Sequence, residues 1–266
     1  MKRFAAILLV LLLLLPSALA EKKPKATDTP VPAAITEDVA EPPAVIQEML
    51  DIAYREWEET AGKALKKSNK YTKWWNNYTW EWCAGFTTWC TLEAGIPQDD
   101  EKVILKRAEG EVPDAIYSCK ASSPAKLIHS FLHMRRTTMI PQKGFIILYG
   151  TGSNYKTHVG IVYDVEKLDN GKYRLTTIEG NMSNTVKMYI ADYEPVDVFH
   201  DQKRSPKTSN LSEVPEEEKT LEEAKNLTYT LRKTSKKPWY VTCFLMPWVP
   251  EGIEAAEAVP EVTPEP

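Results

Sequence analysis

The chain has 266 residues, with 33 Lys and Arg against 37 Asp and Glu, and a net charge of −4. That balance excludes the basic surface by which a general nucleic-acid binder holds phosphates. It also argues against long-range attraction to an anionic cell wall. Eight Trp and twelve Tyr suit a folded domain whose aromatics fill a core or line a cleft.

The first predicted element is a leader. MKRF is followed by an apolar run from Phe4 to Leu15 and then PSALA. A basic start, an apolar centre and an A-x-A site predict a secretory signal peptide over 1–20, cut after Ala20. The run is shorter than the ~18–20 apolar residues that span a bilayer, and no later segment reaches that length. The mature chain is therefore expected to be exported, with no membrane association. Loss of Lys2 and Arg3 with the leader takes its charge to −6. Residues 21–43 are rich in Pro, Ala, Thr and charge without periodicity, which predicts a disordered linker. Residues 250–266 predict an acidic, Pro-rich tail. One domain with a sizeable core is expected over 44–249.

Within it, Ile46, Leu50, Ala53 and Trp57 recur at helical spacing and predict a one-sided amphipathic helix over 43–67. NKYTKWWNNYTW is polar and aromatic without pattern, so it reads as a loop. A helix is expected from Cys83 to Ala94, stopped by Gly95, and a second from Pro124 to Met134 with Pro in its first turn. FIILYG and HVGIVYDVE read as strands, and YRLTTIEGN as a third, with Asn170-Gly171 as a hairpin turn between the last two. Residues 201–238 are highly charged with no apolar face and predict an insertion, with one exposed helix after Pro215. WYVTCFLMPW reads as a strand returning to the core. Helices first and strands after predict an α+β domain with an antiparallel sheet.

Three stretches carry chemistry. Cys83, in EWCAGFTTWC, falls where a loop becomes a helix. The helix dipole favours a thiolate there, and a neighbouring imidazole would favour it further. The same residue could equally be a buried apolar filler. Among four His, His158 opens the strand THVGIV, where a rigid base could meet the helix start; a lone His is also often structural. His129 and His133 are four apart, but no HExxH glutamate or third ligand accompanies them, so no metal site is expected. His200 reads as a surface residue. No Asp-rich calcium loop is present, and no cofactor is expected. In TTIEGN, Glu179 and Asn181 are separated by one residue. On a strand both would point to one face, where either could orient the imidazole. An ordinary Gly-Asn turn is the alternative.

WCAGFTTWC, THVGIV and TIEGN together resemble the motifs of the CHAP family, the cysteine, histidine-dependent amidohydrolases/peptidases. NKYTKWW ahead of the cysteine resembles what precedes it in secreted bacterial members. PQKGFIILYG is similar to the turn into a strand in such proteins, with Phe145 in place of an Asp. The resemblance runs from about Val45 to Tyr193 and resumes at VTCFLMPW; the 201–238 insertion lies outside it. It implies a papain-like fold, N-terminal helices packed on an antiparallel sheet. It further implies Cys83 as nucleophile, His158 as base, and Glu179 and Asn181 as orienting residues. Trp75, Tyr78 and Trp82 are the candidate substrate-binding aromatics. The implied substrate is peptidoglycan or a peptide, cleaved at an amide by a monomer, outside the cell or in the bacterial cell wall. The alternatives are an NlpC-type endopeptidase and a non-catalytic wall-binding protein on the same fold. Cys90 is two helical turns from Cys83, ~10.5 Å, too far to bridge it. A Cys90–Cys119 disulfide and buried free thiols are the two readings of the remaining cysteines.

Overall fold

The computed structural model describes residues 38–60, 63–75, 81–196, 209–219, 227–229 and 238–251. The expected signal peptide, most of the linker and most of the tail lie outside the described residues.

Helix α1 spans Ala44–Thr60 and buries Ile46, Met49, Leu50, Ala53 and Trp57, the stripe that its sequence spacing dictates. A short α2, Lys70–Lys73, follows. It starts because Asn69 caps it: its side chain accepts from the Tyr71 N–H, and Thr72 returns a bond to the cap backbone. Helix α3 spans Cys83–Glu93 and is stopped at Gly95, whose φ of 77° suits a residue without Cβ. Eight of the eleven residues of α3 are buried, three threonines among them, so most of the helix runs through the domain rather than along its surface. Its Phe86 and Cys90 belong to the core formed with α1, while Cys83 and Ala84 belong to a second core.

That second core is closed by α5, Pro124–His133, which begins where Ser123 caps the Lys126 N–H and Pro124 takes the first turn. Several elements have no counterpart in the sequence reading, α2 among them, since its stretch reads as a loop. Strands β1 (Gln98–Asp100) and β2 (Ser118–Lys120) form a two-stranded parallel pair, and α4 (Glu101–Ile104) lies between them in the chain.

Among the described residues the main sheet has eight strands. β3 (Thr137–Thr138), β4 (Ile146–Thr151), β5 (Asn154–Lys167), β6 (Tyr173–Glu179), β7 (Lys187–Tyr193), β8 (Leu211–Ser212) and β10 (Trp239–Leu245) lie in the order β3-β10-β4-β5-β6-β7-β8. All of these pairs are antiparallel, and β9 (Leu227–Thr228) adds to β7 in parallel. The architecture is α+β, helices first and a large antiparallel sheet after, as the order of patterns predicts. Asn170-Gly171 lies in the β5–β6 hairpin as expected.

The charged segment 201–238 is not wholly external. Its described residues supply β8 and β9, and Asn210 is buried, exchanging hydrogen bonds with both Val241 N–H (2.8 Å) and Val241 C=O (3.0 Å). The sheet therefore curls until the approach to β8 meets β10. Directly after Pro215 the described residues form a 3-10 turn, Glu216–Glu218, which buries nothing; residues 220–226, into which the expected helix would run, lie outside the described residues.

Candidate active site

Cys83 is the first residue of α3 and is 3 % exposed. Burial above all, with a smaller push from the charge of Glu81, raises its thiol to about 11. The backbone N–H groups of Val159 and Ala84 point at the sulfur and act the other way. Val159 follows His158 in β5, so the strand residue that touches the sulfur is the immediate neighbour of the imidazole. Taken alone, the thiol is protonated at neutral pH. Its ionisation requires a base at hand and a stable home for the proton.

That home is built into the sheet. His158 is buried in β5, directly opposite Tyr149 of β4. Its Nε2 lies 2.9 Å from Oε2 of Glu179, the last residue of β6, whose side chain has no exposure. Glu179 Oε1 accepts from Tyr149 Oη at 2.9 Å and from Thr177 Oγ1 at 2.6 Å. Thr177 and Glu179 are two apart and share a face of β6, as strand alternation requires. Three polar partners converge on this one buried carboxylate and fix its position. With Nε2 engaged by Glu179, Nδ1 is the ring nitrogen that can receive a thiol proton. The rings of Tyr149 and Trp239 lie 6.0 Å and 5.5 Å from the imidazole and restrict it from two strands.

Gly160 explains how Glu179 reaches across. A Cβ at residue 160 would sit 2.5 Å from Glu179 Cγ and 3.1 Å from Cδ. The glycine two residues after His158 thus leaves the path along which the carboxylate crosses from β6. Gly180 acts similarly on the other side. A Cβ there would meet Phe86 at 2.4 Å and Trp82 at 2.9 Å, so its absence lets the end of β6 close on α3.

Asn181 departs from expectation. The strand ends at Glu179, and Asn181 stands in the following turn with φ of 62°. Leaving the strand breaks the period-2 alternation, so Glu179 and Asn181 do not share a face. The Asn181 amide donates to Glu81 Oε2 instead of orienting His158.

The aromatics also separate. Trp82 is 1 % exposed and stacks on Tyr71, with ring centroids 5.1 Å apart. It is core beneath the groove rather than an open substrate platform, because the helix start turns its ring inward. Trp75 is half-buried and lines a shallow groove together with Tyr71, Thr72, Glu81, Trp82, Gly85 and Ser122. Tyr71 is itself fixed from below, its hydroxyl donating to the buried Glu56 of α1. Tyr78 and His200 lie outside the described residues.

All four cysteines are free and buried. The Cys90–Cys119 bridge is not formed: Cys90 packs in the α1 core, while Cys119 sits in the α5 core with its thiol 3.1 Å from Ser130 Oγ. His129 meets Glu101 through Nδ1 at 3.3 Å, whereas His133 Nε2 meets the Arg107 carbonyl at 3.1 Å, so the two imidazoles have different partners. Among the described residues no group of His, Cys, Asp and Glu could hold a metal ion. No helix among them is long and apolar enough to cross a membrane.

Sequence reasoning missed Tyr149, Thr177, Trp239 and Glu81. Thr177 was accessible through strand alternation from Glu179. Tyr149 and Trp239 come from other strands, and only the register of β4, β5 and β10 brings them to the imidazole.

Residues 73–181 match the CHAP domain family. The chain carries a CHAP domain over that span, from α2 to the turn after β6, which contains Cys83, His158, Glu179 and Asn181. The family is one of amidases and peptidases that commonly act on peptidoglycan. Helix α1 and strands β7 to β10 lie outside the matched residues. Neither a curated protein nor a solved structure matches the chain.

Proposed function

We propose that this chain is an exported thiol amidohydrolase or peptidase that cleaves an amide of peptidoglycan on a papain-like arrangement of helix-borne cysteine and sheet-borne histidine. The observation that carries the reading is the 2.9 Å contact of His158 Nε2 with a fully buried, triply bonded Glu179, beside a helix-start Cys83 whose sulfur is touched by the N–H of Val159. In the reaction His158 Nδ1 takes the thiol proton as Sγ attacks the amide carbonyl carbon. Glu179 stabilises the imidazolium and keeps Nε2 as the donor. The backbone N–H of Cys83, at the helix start, receives the oxyanion. Collapse of the tetrahedral intermediate breaks the C–N bond. The leaving amine takes the proton from His158, and a thioester remains on Cys83. Water then attacks the thioester, with His158 again as base, and releases a carboxylic acid and the free thiol.

The leader over residues 1–20 would deliver the chain outside the cell or into the wall, where it acts as a monomer. Mass spectrometry of purified peptidoglycan after incubation with the chain tests the reading. New free N-termini within the stem peptide indicate a peptidase, and release of intact peptide from glycan indicates an amidase. Cys83→Ala should give neither product while melting as the unaltered chain does. Peptidoglycan left intact by the unaltered chain, or processed equally by Cys83→Ala, would refute the proposal.

A further inference from the structure

Glu81 stands two residues before the nucleophile, is exposed, and takes no part in the reaction just described. It lines the groove beside Trp75 and Tyr71, and none of the groove's lining residues is cationic. The carboxylate accepts from the uncharged Asn181 amide, and among the described residues no Lys, Arg or His pairs with it. Lys120, on β2, is instead held over the Trp74 and Trp75 rings at 5.5 and 5.1 Å.

An exposed carboxylate with a neutral donor is suited to exchange it for a cation, because a charge-assisted bond is roughly twice as strong as a neutral one. The charge of Glu81 also opposes ionisation of Cys83. A cation seated on Glu81 would cancel that opposition while fixing the substrate beside the sulfur.

We propose that Glu81 is a specificity-determining residue that receives a primary ammonium group of the substrate close to the scissile amide, displacing the Asn181 amide from its carboxylate. The proposal rests on the hydrolase reading and narrows it: the preferred substrates are peptides with a free side-chain or terminal amine within one residue of the cleaved bond.

Binding is measured by calorimetry on Cys83→Ala, which cannot turn substrate over. The probes are a synthetic peptidoglycan-stem tetrapeptide with lysine at its third position and the same peptide acetylated on the lysine amine. The free-amine peptide should bind about fivefold more tightly, the scale of an exposed ion pair. That preference should vanish in Cys83→Ala/Glu81→Gln. Equal binding of the two peptides, a preference that survives in the double variant, or no binding of either peptide would each overturn the proposal. The hydrolase reading is decided separately by peptidoglycan digestion with the unaltered chain, so either can fail while the other stands.

Discussion

Glu179→Gln removes one charge and adds an N–H₂ donor where three donors already converge. The single amide oxygen of Gln can serve the Tyr149 and Thr177 hydroxyls, which lie 2.9 and 2.6 Å from the present Oε1. The amide nitrogen then faces His158 Nε2 across the present 2.9 Å. A buried donor facing a donor costs about 1–3 kcal/mol. The imidazole avoids that cost by moving its proton to Nδ1, the nitrogen that must accept from Cys83. The charge that balances the imidazolium is lost as well. An opposite charge in contact shifts an ionisation by roughly 1–3 pH units, or ~1.4–4 kcal/mol. The sign follows from the thiol. Burial holds Cys83 at about 11, and only transfer of its proton to His158 makes thiolate available below that. Weakening the ion pair therefore moves the thiolate profile upward, toward the thiol's own ionisation. Alkylation of Cys83 at neutral pH should slow by about 10- to 1000-fold. Hydrolysis should fall further, because the wrong tautomer alone costs on the order of 10⁴ in a comparable triad. Iodoacetamide alkylation followed by intact mass from mildly acidic to alkaline pH reads the profile, with Cys83→Ala to mark which thiol reacts. A Glu179→Gln profile that superimposes on that of the unaltered chain would refute the assignment of Glu179 as the partner that tunes the pair.

Gly160→Ala places a methyl 2.5 Å from Glu179 Cγ; the strain should cost about 1–3 kcal/mol of stability in thermal melts, and displacing the carboxylate by a similar energy should slow hydrolysis at least ~10-fold. Full activity with an unchanged melt would show that Glu179 does not need that path. Asn181→Ala should leave the alkylation profile of Cys83 almost unmoved on the acid side, because Asn181 bonds to Glu81 and not to His158. An upward shift as large as that of Glu179→Gln would mean that Asn181 orients the base after all. With four free thiols, dithiothreitol should not change the melting midpoint, and non-reduced peptide mapping should find Cys90 and Cys119 unlinked. A fall in the midpoint with reductant would reveal a structural disulfide.

Local sequence determined the elements and their chemistry. The α1 stripe, the Ser123-Pro124 start of α5, the Gly95 stop and the Asn170-Gly171 hairpin are set by side-chain periodicity and backbone preference within a few residues. The order of Cys83, His158 and Glu179 was legible for the same reason, since a helix start and strand ends are local features. Tertiary structure decided which of these groups meet. Asn181 was assigned to the face of Glu179 by alternation, yet β6 ends two residues before it, because Gly180 must close on Phe86 of α3. Trp82 reads like a cleft aromatic but turns under the groove to stack on Tyr71. Tyr149 and Trp239 reach His158 only through the register of three strands distant in sequence. The short β1–β2 pair and the edge strands β8 and β9 carry too few residues for a period to show, and pairing with distant strands defines them. Cys90 and Cys119 remain apart because α3 divides two cores, a partition that residue spacing along one chain cannot express.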